Sequence, residues 1–255
     1  MRNTSSSLRN SEKLFSRKFG QVFLRNPGIA RFEAESLELS PGSTVIEIGP
    51  GKGILTAALL EQGYRVIAVE SDHRWVAELM SLFSGEIEAG MLEIRKSDFL
   101  AFPPGETDGL AGNIPYSISS DIIFRLPLFH FKSAVLMVQE EFAYRLVAKP
   151  GTPQYSRLTV NAQLKFHISI LRKVSRRSFY PMPRVDSAVI RIIPREIPVK
   201  TSPNFDSILS KFFSNRRKKI GTTFPNAPDE FRNKRVEEIG PDDLIPLINQ
   251  LDPDA

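Results

Sequence analysis

Apolar residues recur along this chain in two rhythms. Short β-branched runs such as Thr44 to Ile48 and Arg65 to Glu70 have the length and composition of strands buried on both faces. Between them, apolar residues return every three or four positions, which is the spacing of a helix with one buried face. The pattern predicts strands at Thr44 to Ile48, Arg65 to Glu70, Met91 to Arg95, Gly109 to Asn113 and Ser133 to Val138. It predicts helices at Ile54 to Leu60, His73 to Phe83 and Ser119 to Leu126. Pro27 opens an amphipathic stretch that reaches Leu39, and Ser40-Pro41-Gly42-Ser43 is turn chemistry ahead of the first of these strands. Alternation with short connections predicts an α/β fold with a doubly wound parallel sheet. Two later apolar runs, His167 to Val174 and Val185 to Ile193, read as an antiparallel pair closing it.

The rhythm changes around Arg195, where Pro194, Pro198 and Pro203 precede a stretch of helical pattern at Phe205 to Phe213, Glu230 to Ile239 and Asp242 to Leu251, the last capped by Asp242. A boundary is therefore expected near residue 198. Residues 1–16 read as a disordered polar tail, 17–198 as the main domain, and 199–255 as a small helical domain.

Composition narrows the chemistry. The 255 residues contain no cysteine, which excludes disulfides, thiolate catalysis and Cys-ligated zinc. His73, His130 and His167 lie far apart, so no metal site is expected. There is no apolar run of transmembrane length and no export signal, so a cytoplasmic location without a membrane partner is expected. Net charge is +5, but residues 226–255 carry eight acids against three bases, which leaves the remainder at +10. A basic body suggests a polyanionic partner. Arg17-Lys18, Arg172-Lys173 with Arg176-Arg177, and Arg216-Arg217-Lys218-Lys219 are the local clusters.

In a doubly wound sheet, ligands bind at the carboxyl ends of the strands. Those ends supply the candidates here. After the first long strand comes Gly49-Pro50-Gly51-Lys52-Gly53, a turn that lets backbone N–H groups approach a ligand, without the G-x-G-x-x-G spacing of a dinucleotide site. Glu70 ends the next strand, where a carboxylate can accept from both hydroxyls of a ribose. Asp98 follows the third and could accept from an exocyclic amine. Together they suggest an adenosine-containing ligand. Asn113-Ile114-Pro115-Tyr116, at the end of the fourth, sets an amide and a backbone carbonyl beside a stacking ring. That group suits a planar aromatic amine: acceptors for both amine hydrogens let the nitrogen pyramidalise and become nucleophilic.

Phe19-Gly20-Gln21-Val22-Phe23-Leu24, the glycine turn, Asn113 to Tyr116, Gln139 to Leu146, Tyr155-Ser156-Arg157-Leu158 and Phe179 to Ala188 together resemble the ribosomal small-subunit RNA adenine N6,N6-dimethyltransferases. The resemblance spans about Arg17 to Pro194 and implies a Rossmann-like methyltransferase sheet, mostly parallel with an antiparallel closing strand, plus a small C-terminal helical domain. It implies S-adenosylmethionine as cofactor, held by Gln21, Val22, Leu24, Gly49, Gly51, Glu70, Asp98 and Asn113. It implies that Asn113, Ile114 and Tyr116 hold the target base from one side, with Phe179 exposed to stack on the other. Arg176, Arg177, Arg216, Arg217, Lys218 and Lys219 would face RNA, and the expected partner is small-subunit ribosomal RNA or a pre-small-subunit particle, met by a monomer. Two positions depart from the family pattern: Val22 stands where a polar residue is common, and Ser71 where an apolar residue usually packs on adenine. The rival readings are a large-subunit rRNA adenine methylase, a non-catalytic RNA-binding assembly factor on the same fold, and a nicotinamide oxidoreductase, which the glycine spacing disfavours.

Overall fold

The computed structural model describes residues 22–196 and 200–254. In chain order the first elements are β1 (Phe23–Leu24), α1 (Pro27–Glu35), β2 (Thr44–Ile48), α2 (Ile54–Glu61), β3 (Arg65–Glu70), α3 (His73–Leu82), α4 (Ser84–Glu88) and β4 (Leu92–Lys96). There follow β5 (Gly109–Asn113), a 3₁₀ turn at Tyr116–Ile118, α5 (Ser119–Arg125), β6 (Ser133–Gln139), α6 (Glu140–Leu146), α7 (Arg157–Lys165), β7 (Phe166–Val174), β8 (Phe179–Tyr180) and β9 (Ser187–Pro194). The chain ends with α8 (Phe205–Ser214), α9 (Ile220–Thr223), α10 (Asp229–Arg232) and α11 (Pro241–Leu251).

Seven strands form one sheet in the order β4-β3-β2-β5-β6-β9-β7. The pairs β2·β3, β2·β5, β3·β4 and β5·β6 are parallel, and β9 closes against β6 in the antiparallel sense. The order reverses between β2 and β5, which brings the carboxyl ends of both to one crevice. Strands covered on both faces need apolar side chains on both, and β2 and β6 are buried along almost their whole length. Two glycines in β5 allow the closest approach: a Cβ on Gly112 would lie 2.7 Å from the Ile48 carbonyl oxygen, and one on Gly109 3.1 Å from that of Ser133. Separately, β1 and β8 form a two-stranded antiparallel ribbon pairing Phe23 with Tyr180 and Leu24 with Phe179.

Helix starts follow local chemistry. Asn26 caps α1 by accepting the Gly28 N–H at 3.0 Å with Pro27 in the first turn, and Asp72 caps α3 by accepting the Arg74 N–H at 3.0 Å. The last helix differs from the expected one, since Asp242 lies inside its first turn and Gly240 is the N-cap, without a side-chain bond. The predicted helix at Glu230 to Ile239 is instead α10 plus a 3₁₀ turn at Val236–Glu238, separated by Arg235, which is extended and bridges to Lys219.

The chain divides into two compact units. One holds the described residues up to Glu140 with Ile170–Ile192, and the other holds Glu141–Ser169 with those from Ile193 onward. The single boundary expected near 198 is therefore corrected. Tyr155, Val160 and Leu164 belong to the same hydrophobic core as Phe205, Phe212 and Leu247, so the segment around α7 goes with the C-terminal helices. The Tyr155 hydroxyl fixes it there by donating to the Ile239 carbonyl at 2.8 Å. Among the described residues no helix is long and apolar enough to cross a membrane.

Candidate functional site

One pocket at the carboxyl ends of β2, β3 and β5 collects most of the predicted cofactor and base-binding residues. Val22, Leu24, Gly49, Gly51, Glu70, Asp98, Asn113, Ile114 and Tyr116 all line it. Gln21 lies outside the described residues.

The glycine turn has the conformation its composition requires, with φ of +67° at Gly49, +54° at Gly51 and +78° at Gly53. A Cβ on Gly49 would meet nothing within 4 Å, so its backbone faces open pocket. On Gly53 a Cβ would meet Phe83 at 2.6 Å and Leu79 at 2.9 Å, so that glycine serves helix packing instead. The turn is tied to the neighbouring strand: Gly51 N–H donates to Glu70 Oε2 at 3.1 Å, and Asp72 N–H donates to Oε1 at 2.9 Å. Each oxygen of Glu70 keeps further lone-pair capacity toward a ribose diol. Asp98 is exposed, and its Oδ1 accepts the Leu100 N–H at 2.9 Å.

Sequence reading missed the rim. Lys52 Nζ sits 5.5 Å from the Phe23 ring centre and 5.3 Å from that of Trp75, whose rings meet edge-on at 5.0 Å. All three line the pocket, as does Phe99. Ser71 offers the cofactor side little apolar surface, and the aromatic pair Phe23–Trp75 supplies such surface to the same cavity. The signal available was Trp75, the only tryptophan, five residues after the strand-end acid.

At the base-binding end, Asn113 is half-buried at the end of β5, and the Ile114 N–H is engaged by the Met137 carbonyl at 3.0 Å, which fixes the backbone of the tetrapeptide. Tyr116 is held through its hydroxyl, 2.8 Å from Ser187 Oγ. Phe179 is corrected: it is 6% exposed and packs into the core with Leu24, so it has no open face for a base. The ribbon β1·β8 draws its backbone inward and leaves the next residue, Tyr180, 42% exposed with Arg25 over its ring.

Below the pocket lie two buried acids. Glu47 accepts from Thr56 Oγ1 at 2.6 Å, and burial pushes its carboxyl up to about 8. Glu33 is fully buried and neither oxygen has a partner at good hydrogen-bond geometry; desolvation first and Glu47 second hold it well above the usual carboxylate range, against a smaller lowering by the Asn113 side chain.

The basic residues divide by environment. Arg176 and Arg177 are exposed, with the Arg176 N–H held by Asp186 Oδ1 at 2.8 Å. In the second unit Arg217 and Lys218 are exposed. Arg216 is instead committed internally, to Glu237 Oε2 at 3.0 Å and the Pro153 carbonyl at 3.3 Å, and Lys219 donates to Asn233 Oδ1 at 3.2 Å. Arg216 is thereby less available to phosphate than the exposed bases beside it. Among the described residues no cluster of acids and histidines is suited to a metal.

Residues 12–250 match the family described as ribosomal RNA adenine dimethylase. A probable ribosomal RNA small subunit methyltransferase A of Methanosarcina acetivorans is 37% identical, over 96% of this chain and 97% of its own length. A dimethyladenosine transferase of Schizosaccharomyces pombe is 36% identical over 87% of this chain and 73% of its own. Among solved structures, a dimethyladenosine transferase from Plasmodium falciparum superposes with a TM-score of 0.81 at 30% identity, covering 89% of this chain and 96% of that one. The 23S rRNA methyltransferase ErmE gives 0.72 at 29% identity, covering 90% and 99%.

Proposed function

The chain belongs to the ribosomal RNA adenine dimethylase family, and on that premise we propose how its own residues carry the family's reaction. It is an S-adenosylmethionine-dependent enzyme that dimethylates N6 of adenosines in small-subunit ribosomal RNA. The observation that carries the residue assignment is the convergence of the glycine turn, Glu70, Asp98 and Asn113 to Tyr116 on one pocket.

The donor set suits the cofactor: Gly49 leaves its backbone facing open space, and two acids stand where a ribose and an adenine amine would meet them. Glu70 would hold the ribose hydroxyls, Asp98 the amine, and Val22 and Leu24 the methionine end. S-adenosylmethionine supplies a methyl carbon activated by its sulfonium sulfur.

The protein then has to make an aromatic amine nucleophilic. Asn113 Oδ1 and the Ile114 carbonyl accept the two hydrogens of N6, so the nitrogen pyramidalises and its lone pair leaves the ring system. Tyr116, fixed by Ser187, stacks on the base and holds it in line. An RNA loop can splay its target base into such a pocket. On taking the methyl group from sulfur, which departs as a neutral thioether, the nitrogen loses one proton to water; with that hydrogen gone, one acceptor must release its hold for the second transfer.

The substrate we favour is a pre-small-subunit particle met by a monomer in the cytoplasm, with Arg176, Arg177, Arg217 and Lys218 against phosphates. Methyl transfer from labelled cofactor to purified small and large subunits, with the modified nucleotides mapped, tests this. Dimethyladenosine in small subunits is expected, and label confined to large subunits would overturn it.

A further inference from the structure

Beneath the pocket floor, two carboxyl groups and an amide lie together with hydrogen-bonding capacity unspent. Glu33 is on the inward face of α1, whose other buried residues are Ile29, Ala30 and Ala34, so packing alone would be served by an apolar side chain. It is 0% exposed, and neither carboxyl oxygen has a partner at good hydrogen-bond geometry. The Asn113 side chain lies close enough to bias the proton of Glu33, yet its Oδ1 is also buried and unpartnered. The other groups in the cluster are Glu47 on β2, already engaged by Thr56, and Glu70 on β3, which acts on Glu47.

Buried polar groups without partners are costly, and three such atoms side by side call for a shared explanation. A half-turn of the Asn113 amide exchanges Oδ1 with Nδ2, two atoms that differ little in shape. With Nδ2 toward Glu33 the amide N–H has an acceptor, which is the sense in which Asn113 lowers the Glu33 carboxyl, and Oδ1 is left for the target amine. A neutral carboxyl keeps a carbonyl oxygen that can accept one amide N–H, which leaves the amide oxygen unspent. Burial pushes the Glu33 carboxyl well above the usual carboxylate range, which favours its neutral form.

We infer that Glu33 is a positioning residue for Asn113: it holds the amide nitrogen from below, so that the amide oxygen is presented to the target amine. The inference rests on the assignment of Asn113 to that amine.

Four variants test it: Glu33→Gln, Glu33→Leu, Asn113→Ala and the double Glu33→Leu/Asn113→Ala, with Glu33→Met in parallel should the leucine variant fold poorly. Turnover on small subunits is measured, with cofactor affinity followed by the fluorescence of Trp75 in the pocket and folding by thermal melts. Glu33→Gln keeps a donor and an acceptor and should retain near-parental turnover. Glu33→Leu should lose about 10- to 100-fold in kcat, the range for losing a group that orients a directly acting side chain, with cofactor affinity and melting temperature maintained. In the Asn113→Ala background it should add nothing further. Parental turnover in Glu33→Leu or Glu33→Met, alongside a crippled Asn113→Ala, would overturn the inference, as would a glutamine variant no better than leucine. Parental turnover in Asn113→Ala would overturn the site assignment itself and this inference with it.

Discussion

Glu70 spends each of its oxygens on a backbone N–H, of Gly51 and of Asp72, before any ligand arrives. Removing it therefore loosens the glycine turn as well as deleting the ribose hydrogen bonds, and Glu70→Ala should weaken cofactor binding by roughly 1.5 to 3 kcal/mol per charged hydrogen bond removed. Calorimetry would show this, with RNA affinity little changed. Asn113 acts at a different stage, because its bond to the amine strengthens as the nitrogen pyramidalises. Asn113→Ala should cost ~10²- to 10³-fold in turnover while cofactor affinity holds, and an equal loss in both would point to collapse of the pocket. The buried acids make a prediction about pH. Glu47 titrates near 8 and Glu33 is also raised, so the folded state keeps protons that the unfolded chain releases near 4.5. The contribution of Glu47 is complete below that value and is lost as pH rises toward and through about 8, and Glu33, raised by the same burial, acts in the same direction. Denaturant melts across this window should show stability declining, by up to a few kcal/mol, and Glu33→Gln with Glu47→Gln should flatten the decline.

At the level of elements, the glycine turn is a joint between β2 and α2 as well as a ligand cradle. Gly53 adopts φ +78° and has Phe83 within 2.6 Å of where a Cβ would be, so Gly53→Ala should destabilise by about 2 to 4 kcal/mol, strain and overpacking together. Gly49→Ala, with open space ahead of it, should cost mainly the strain of its φ and some cofactor affinity. Thermal melts of both variants separate the two roles. The central strands were legible because periodicity reports burial on both faces, and β5 falls at the predicted Gly109 to Asn113. The strand-end candidates were legible by the same logic, since the architecture says where carboxyl ends meet. What was not legible depends on distant partners. Phe179 reads as a loop aromatic between arginines and prolines, and only its pairing with Leu24, 155 residues earlier, buries it. Arg216 reads as one of four equivalent bases until Glu237 and Pro153 claim it. Glu33 has the spacing of an inward position on α1, but a lone acid there gives no hint of Asn113. The domain boundary failed similarly, because the segment around α7 joins its core partners across an intervening return to the sheet.

Across the whole molecule, charge is the long-range quantity, and the chain carries its excess of bases ahead of an acidic final stretch. Such an excess draws a protein to RNA regardless of sequence, while the pocket selects the base. The run at 216–219 allows the electrostatic role to be separated from the structural one. Arg217 and Lys218 are exposed, so replacing both with Ala should leave the melting temperature near parental and weaken RNA binding. The slope of log affinity against log salt should fall by about 0.7 to 0.9 for each phosphate no longer neutralised. Arg216→Ala should behave in the opposite way. It deletes the ion pair with Glu237 and the bonds to the Pro153 carbonyl, so stability should drop by about 1 to 3 kcal/mol while the salt slope stays close to parental. Filter binding over a salt series, beside thermal melts of the same preparations, reads both quantities. A parental slope in the Arg217/Lys218 variant would return those residues to solvated surface, and a reduced slope with unchanged stability for Arg216→Ala would make that arginine a phosphate ligand after all.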